Sequence, residues 1–113
     1  MTVTIYHNPS CSNSRDALAA IRARGIEPVI VEYLKTPLTR DQLRALVERM
    51  GVPVRDVIRW KEKLVPELNI EDADDGALLD AMAAHPVLMN RPIVVTDKGA
   101  RLCRPGETVA EIL

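Results

Sequence analysis

The chain has 113 residues and a formal net charge of −1, with 47% hydrophobic and 27% charged residues, a size and balance that suit one globular domain, residues 1–113, with a core of its own. A charge so near zero excludes bulk binding to nucleic acid or anionic lipid, which needs a sustained basic excess, and no apolar run approaches the roughly 20 residues of a membrane span. Two cysteines, Cys11 and Cys103, are too few for a disulfide framework, and neither stands in a C-x-x-C pair of the kind that marks zinc or dithiol sites, although a single bridge between them stays compatible with the sequence.

Residues 2–6 alternate polar and apolar (Val3 and Ile5 on one side) as a short strand does. A polar loop centred on Cys11 follows, and residues 16–24 read as a helix that buries Ala17, Leu18, Ala20 and Ile21, with Gly25 placed for a left-handed C-terminal cap. Beyond Pro28, the β-branched run of Val29, Ile30 and Val31, with Tyr33, reads as a second strand. Strand, helix and strand in so short a span form a βαβ unit, with parallel strands and a right-handed crossover.

The next helix has a clear start. Thr39 as N-cap with Gln42 three residues on makes a capping box, Leu38 can staple onto Leu43, and Leu43, Leu46, Val47 and Met50 form one stripe that Gly51 closes. Residues 54–63 read as a further short helix with Val57 and Ile58 inward, which puts Arg55 and Arg59 on one face. Asp74 or Asp75 caps a helix carrying Leu78, Leu79 and Met82, which stops near His85 because Pro86 disfavours helical geometry before it. Residues 93–96 and 100–103 read as a hairpin around Asp97, Lys98 and Gly99. Pro105 then suits the first turn of a closing helix through Val109 and Ile112. The expected fold class is therefore α/β and thioredoxin-like: a mixed four-stranded sheet with a helical insertion between a βαβ half and a ββα half.

Charge is unevenly spread. Between Leu64 and Asn90 there is no Lys or Arg, while arginines and lysines flank this acidic stretch on both sides; for any single charged residue a solvated surface role is the ordinary reading. Cys11 is different. Between a strand and a helix, it meets the unpaired N–H groups of the first helical turn and the positive end of the helix dipole, both of which favour thiolate over thiol. Cysteines so placed fall from a pKa of about 8.5 to values between about 3.5 and 7.5.

Three motifs, H-N-P-x-C-x-x-S-R at 7–15, N-R-P-I-V-V-T at 90–96 and R-L-C-R-P at 101–105, resemble the glutaredoxin-dependent arsenate reductase family, commonly called ArsC. The resemblance covers essentially the whole chain, including the spacing between motifs. It implies a thioredoxin-like fold and reduction of arsenate to arsenite, with glutathione as co-substrate, glutaredoxin as partner and no bound cofactor. It makes Cys11 the nucleophile, His7 the histidine that helps set the thiolate's environment, and Arg59, Arg91 and Arg104 the three oxyanion-holding arginines. These types suit the chemistry: arsenate is a tetrahedral oxyanion, and guanidinium groups fork onto such oxygens as a point-charge lysine cannot. Pro92, opening the third strand, is expected to follow a cis peptide bond from Arg91. Trp60, directly after Arg59, adds bulk where better-known members are expected to be polar, and could narrow or cover the pocket.

Asn8 and Ser14 read as braces of the cysteine loop, Arg15 as surface, Cys103 as core and His85 as a helix-end residue. Metal-ligand spacing is absent apart from the pair His7 and Cys11. A cytoplasmic monomer is expected, since no leader pattern precedes residues 2–5. Two rivals come from other classes. A monothiol glutathione-dependent thiol transferase leaves three arginines unexplained. A non-enzymatic Spx-like regulator that binds RNA polymerase resembles this fold with a C-x-x-C switch, and here the second position is Ser14. A phosphatase-like arsenate reductase needs an arginine six positions after the cysteine, where this chain has Ala17.

Overall fold

The computed structural model describes residues 2–113, which divide into two compact units: the chain up to Thr36 together with Arg91–Leu113, and Pro37–Asn90.

The first unit is built on a four-stranded sheet. Strand β1 (Thr4–Tyr6) buries Ile5 completely and leaves Thr4 and Tyr6 half-buried, in keeping with the sequence alternation. Helix α1 (Ser12–Ala23) returns the chain to β2 (Val29–Val31), which pairs parallel to β1 with Ile5 opposite Ile30. Strands β3 (Ile93–Thr96) and β4 (Gly99–Leu102) form an antiparallel hairpin, and β3 pairs antiparallel with β1, so the order is β2-β1-β3-β4. The expected mixed sheet is present. Gly99, opposite Thr96 in the hairpin register, has φ +138°, where a side chain is strained.

Helix α1 begins at Ser12, four residues earlier than its apolar pattern suggests, because Cys11 itself takes the extended N-cap conformation (φ −96°, ψ 123°). Its other end follows expectation: the Gly25 amide donates to the Arg22 carbonyl at 2.9 Å, with φ +74° at the glycine. The closing segment Gly106–Ile112 is a 3₁₀ helix, with Pro105 as its N-cap residue and not inside its first turn. It packs extensively on α1, and Val3, Ile5, Ala17, Ile21, Val94, Cys103 and Val109 share one core. The buried Thr96 hydroxyl donates to the Ile112 carbonyl at 2.7 Å, tying the end of this segment to β3.

The second unit is helical. In α2 (Arg40–Met50), Thr39 Oγ1 accepts from the Gln42 amide at 3.2 Å while Gln42 Oε1 accepts from the Thr39 amide at 2.9 Å, which is the expected capping box. Such caps stabilise by about 1 kcal/mol. Gly51 closes α2 in the left-handed conformation, φ +68°. After a short α3 (Val65–Leu68), helix α4 (Asp75–Ala84) starts where the Asp74 carboxylate accepts from the Ala77 amide at 2.8 Å and ends at His85. α2 and α4 pack on each other through their apolar faces, including Leu43, Val47, Leu78 and Leu79.

Residues 54–63 do not form the expected helix. Only Val54–Val57 coils, as a 3₁₀ turn, and Ile58 is extended at φ −86°, ψ 134°. The physical reason is competition for backbone groups. The Arg59 amide, which a helix would give to Arg55, donates instead to the Leu88 carbonyl at 2.8 Å. The Asn90 amide donates to Val57 at 2.8 Å, and Ile58 bridges Met89 in antiparallel register. Arg55 and Arg59 therefore do not lie on a common helical face.

Candidate active site

The loop between β1 and α1 carries Cys11, and polar side chains from the same segment hold its shape. The His7 amide continues the sheet by donating to Val31 at 2.8 Å, and the Asn8 amide donates to the fully buried Ser14 hydroxyl at 3.2 Å. Asn8 Oδ1 accepts from the Ser10 amide at 3.0 Å, the side-chain turn to which asparagine is suited. Arg15 Nη1 donates to the Pro9 carbonyl at 2.9 Å from an exposed position. Asn8 and Ser14 are thus braces of the loop, and even Arg15, read as surface, clasps it.

Two segments distant in sequence close on this loop. The Arg91–Pro92 peptide is cis, as expected, and so is Arg104–Pro105, which sequence reasoning did not anticipate. The buried Pro92 accepts from the Cys103 amide at 2.9 Å, which sets the two arginine-bearing segments side by side. Arg104 Nη1 donates to the Arg91 carbonyl at 2.7 Å and lies 3.9 Å from Cys11 Sγ. Gly106 has no room for a side chain: a Cβ there would come within 2.3 Å of the Asn13 carbonyl oxygen and 2.7 Å of the Ala17 amide. The backbone after Arg104 therefore lies directly on the first turn of α1. Gly106 draws no reading from the sequence, where the motif assigns Arg104 and Pro105 reads as a helix start.

Cys11 is half-buried, and partial burial by itself pushes its thiol up. Opposing that are the Ser14 amide, a hydrogen bond from the Arg91 side chain, the Asn13 amide and the Arg91 charge, and together they carry the pKa below its ordinary value. Cys103 shows the contrast. Wholly buried in the core, it is pushed up to about 11 by desolvation, so it stays an inert thiol near neutral pH. Both cysteines are free.

His7 is 6% exposed. Burial lowers its pKa, more than the nearby Glu32 carboxylate raises it, and Arg22 and Arg15 add to the lowering, so the neutral ring is favoured. Its Nδ1 is buried and makes no hydrogen bond among the described residues. Arg59 belongs to the helical unit, with a side chain 26% exposed and Nε 3.8 Å from Glu62 Oε2. Trp60 spends its bulk on Arg55, whose guanidinium lies 5.1 Å from its ring centre. His85 caps the end of α4. Among the described residues, no three His, Cys, Asp or Glu side chains gather in a way that could hold a metal ion, and no helix is long and apolar enough to cross a membrane.

A nucleophilic sulfur at a helix N-terminus, with two guanidinium groups against it, can attack the centre of a tetrahedral oxyanion while its oxygens are held. Known proteins similar to this chain in sequence and fold carry a matching name. An arsenate reductase of Rhizobium meliloti (strain 1021) is 54% identical over 115 residues, covering 100% of this chain and 82% of the relative. One of Escherichia coli (strain K12) is 50% identical, with 98% of this chain and 80% of the relative covered. The solved structure of an arsenate reductase from Vibrio cholerae superposes with a TM-score of 0.96 at 47% identity, covering 100% of this chain and 98% of that one, so the thioredoxin-like α/β fold is shared. The ArsC family model matches residues 6–112, and the chain belongs to the ArsC family.

Proposed function

We propose that this protein is an oxidoreductase that reduces arsenate to arsenite through the Cys11 thiolate, with glutathione and glutaredoxin as electron source. The observation that carries the reading is the placing of Arg91 and Arg104 against a sulfur whose pKa is already depressed. Arsenate near neutral pH is mostly a dianion, and it needs cationic, forked donors as much as it needs a nucleophile.

In the first step Cys11 Sγ forms a bond to arsenic and one arsenate oxygen leaves as water after protonation; arsenic is still pentavalent. A glutathione thiolate then attacks the adduct, and the two sulfurs together lose two electrons to arsenic, which departs as arsenite and leaves Cys11 and glutathione joined in a mixed disulfide. A glutaredoxin thiolate attacks the glutathione sulfur of that disulfide, takes the glutathionyl group and so releases the Cys11 thiolate. Arg91 and Arg104 hold the oxygens and offset the charge that gathers as the sulfur attacks. Arg59 completes the oxyanion set as the resemblance assigns it. His7 contributes in this reading as a buried neutral ring and not as a standing imidazolium, while Asn8, Ser14 and Pro92 frame the loop. Residues 1–113 act as one domain, as a cytoplasmic monomer whose partners are arsenate, glutathione and glutaredoxin, with no nucleic acid or membrane.

The test is arsenate-dependent NADPH consumption coupled through glutathione, glutaredoxin and glutathione reductase. The parent consumes NADPH only when arsenate is added, Cys11→Ser abolishes the signal, and Arg59→Ala raises the KM for arsenate by about tenfold or more, as loss of a charge-assisted contact does. Turnover of small disulfides without any arsenate dependence would favour the thiol-transferase reading instead.

A further inference from the structure

The geometry points to Arg55 and Trp60 as positioning residues for Arg59, a clamp inside the helical unit that holds the oxyanion-binding arginine in one pose. This rests on the reading of Arg59 proposed above. Arg59 sits on an irregular segment: after the 3₁₀ turn Val54–Val57, Ile58 is extended, the chain turns again from Trp60 on, and no helical ladder holds Arg59. A guanidinium at the end of a long side chain binds an anion well only if its base is fixed, since a misplacement of about 1 Å can cost up to about a hundredfold in rate.

The backbone of Arg59 is pinned on both sides, its amide donating to Leu88 at 2.8 Å and its carbonyl accepting from Glu62 at 3.0 Å. Around it, Arg55 and Trp60 close a ring. Trp60 Nε1 donates to the Arg55 carbonyl at 2.9 Å, a carbonyl that an α-helix would have bonded to the Arg59 amide. The Arg55 guanidinium in turn lies over the Trp60 ring at 5.1 Å and donates to the carbonyls of Glu71 and Ala73. The Arg55 carbonyl, which also accepts from the Ile58 amide at 3.3 Å, is thus held by the indole as well, the indole stacks the cation, and the cation ties the segment to the loop ahead of α4. Glu62, 3.8 Å from Arg59 Nε, restrains the arginine's own tip.

Trp60 is the only tryptophan of the chain, so its fluorescence reports on this segment without interference from another indole. The experiment measures the arsenate KM and kcat, and Trp60 emission during arsenate titration without glutathione. The variants are Arg59→Ala, Trp60→Phe, Trp60→Ala, Arg55→Lys and the double variant Arg59→Ala/Trp60→Ala, each checked for parental helix content. Trp60→Ala is expected to raise the arsenate KM about tenfold with kcat changed by less than about twofold, because the loss is in holding the anion. Trp60→Phe, which keeps a ring under Arg55 and loses the N–H donor, falls between. The double variant is no worse than Arg59→Ala alone, since a residue that acts only through Arg59 has nothing left to position. Arsenate changes Trp60 emission in the parent and not in Arg59→Ala.

If Arg59→Ala keeps the parental KM, the oxyanion reading of Arg59 fails, and this is visible without any Trp60 variant. If Arg59→Ala raises KM while folded Trp60→Phe, Trp60→Ala and Arg55→Lys match the parent, or if the double variant adds both losses in full, the clamp is overturned on its own. Should Trp60→Ala fail to fold, Trp60→Phe and Arg55→Lys decide between the same two results. An emission response identical in the parent and Arg59→Ala also overturns it.

Discussion

Two cysteines of one small chain meet opposite electrostatic treatment. Cys103 is surrounded by core and its thiol is pushed up to about 11, whereas Cys11 meets amides and a guanidinium and is carried down. Burial pushes both thiols up, more so the wholly buried Cys103, and at Cys11 the amides of the first turn of α1 and the Arg91 side chain outweigh it. Removing Arg91 therefore removes both its hydrogen bond and its charge from the groups that oppose desolvation, leaving the two amides and the more distant Arg104. The rate of Cys11 alkylation by iodoacetamide against pH is expected to show a midpoint below that of a free thiol in the parent, and a higher midpoint in Arg91→Ala. A parental midpoint at or above about 8.5 would remove the basis for calling Cys11 an activated nucleophile.

Elements here take their lengths from what their ends can bond. α1 starts at Ser12 because the cysteine loop supplies an extended N-cap, and residues 54–63 give up a helix because the Arg59 and Asn90 amides find strand-like partners. The closing 3₁₀ segment is held against the first turn of α1 by the absence of a side chain at Gly106. Gly106→Ala forces a methyl onto the Asn13 carbonyl oxygen and the Ala17 amide, neither of which is a flexible group that can swing away. A loss of about 1–3 kcal/mol in urea unfolding is expected, the usual cost of overpacking. Because Arg104 precedes this contact by two residues, the same variant should also raise the arsenate KM. An alanine variant as stable as the parent would show that the segment can retreat from α1 freely.

For the molecule as a whole, groups with shifted pKa values bound the pH range of greatest stability: His7 on the acid side, and on the alkaline side Cys103 together with the half-buried Tyr6, whose phenol burial also pushes up. Cys103 has a folded pKa raised to about 11 from an ordinary 9.0, so its contribution is complete below about 9 and is lost as pH rises through 11. His7 has its folded pKa lowered from 6.5, so its contribution is present above that value and is lost as pH falls through the lower folded one. Melting temperatures from pH 5 to 11 should therefore fall at both ends, with the alkaline fall shallower in Cys103→Ala and the acid fall shallower in His7→Asn. Identical slopes in parent and Cys103→Ala above pH 9 would mean that the buried thiol is not the group titrating.

How much of this was legible in sequence depended on distance along the chain. The capping box at Thr39, the Asp74 cap, the Gly25 and Gly51 helix ends, the hairpin and the Cys11 loop were readable because each is decided by neighbours within a few residues. The mixed sheet followed from the βαβ rule and the hairpin, while the antiparallel pairing of β3 with β1 that sets its order came from the fold. The resemblance in three motifs named the arginines, yet residue types alone could not say what holds them. The sequence by itself thus determined most of the elements, the family and the place of Cys11 just ahead of α1, but not the irregular course of residues 58–63. Tertiary structure decided the rest: that Arg91 and Arg104 close on Cys11, that Gly106 admits the backbone beside α1, that His7 is buried as a neutral ring, and that Trp60 serves Arg55. Each of those depends on groups brought together across long stretches of chain, where backbone hydrogen bonds and packing override the local preference that a sequence pattern records.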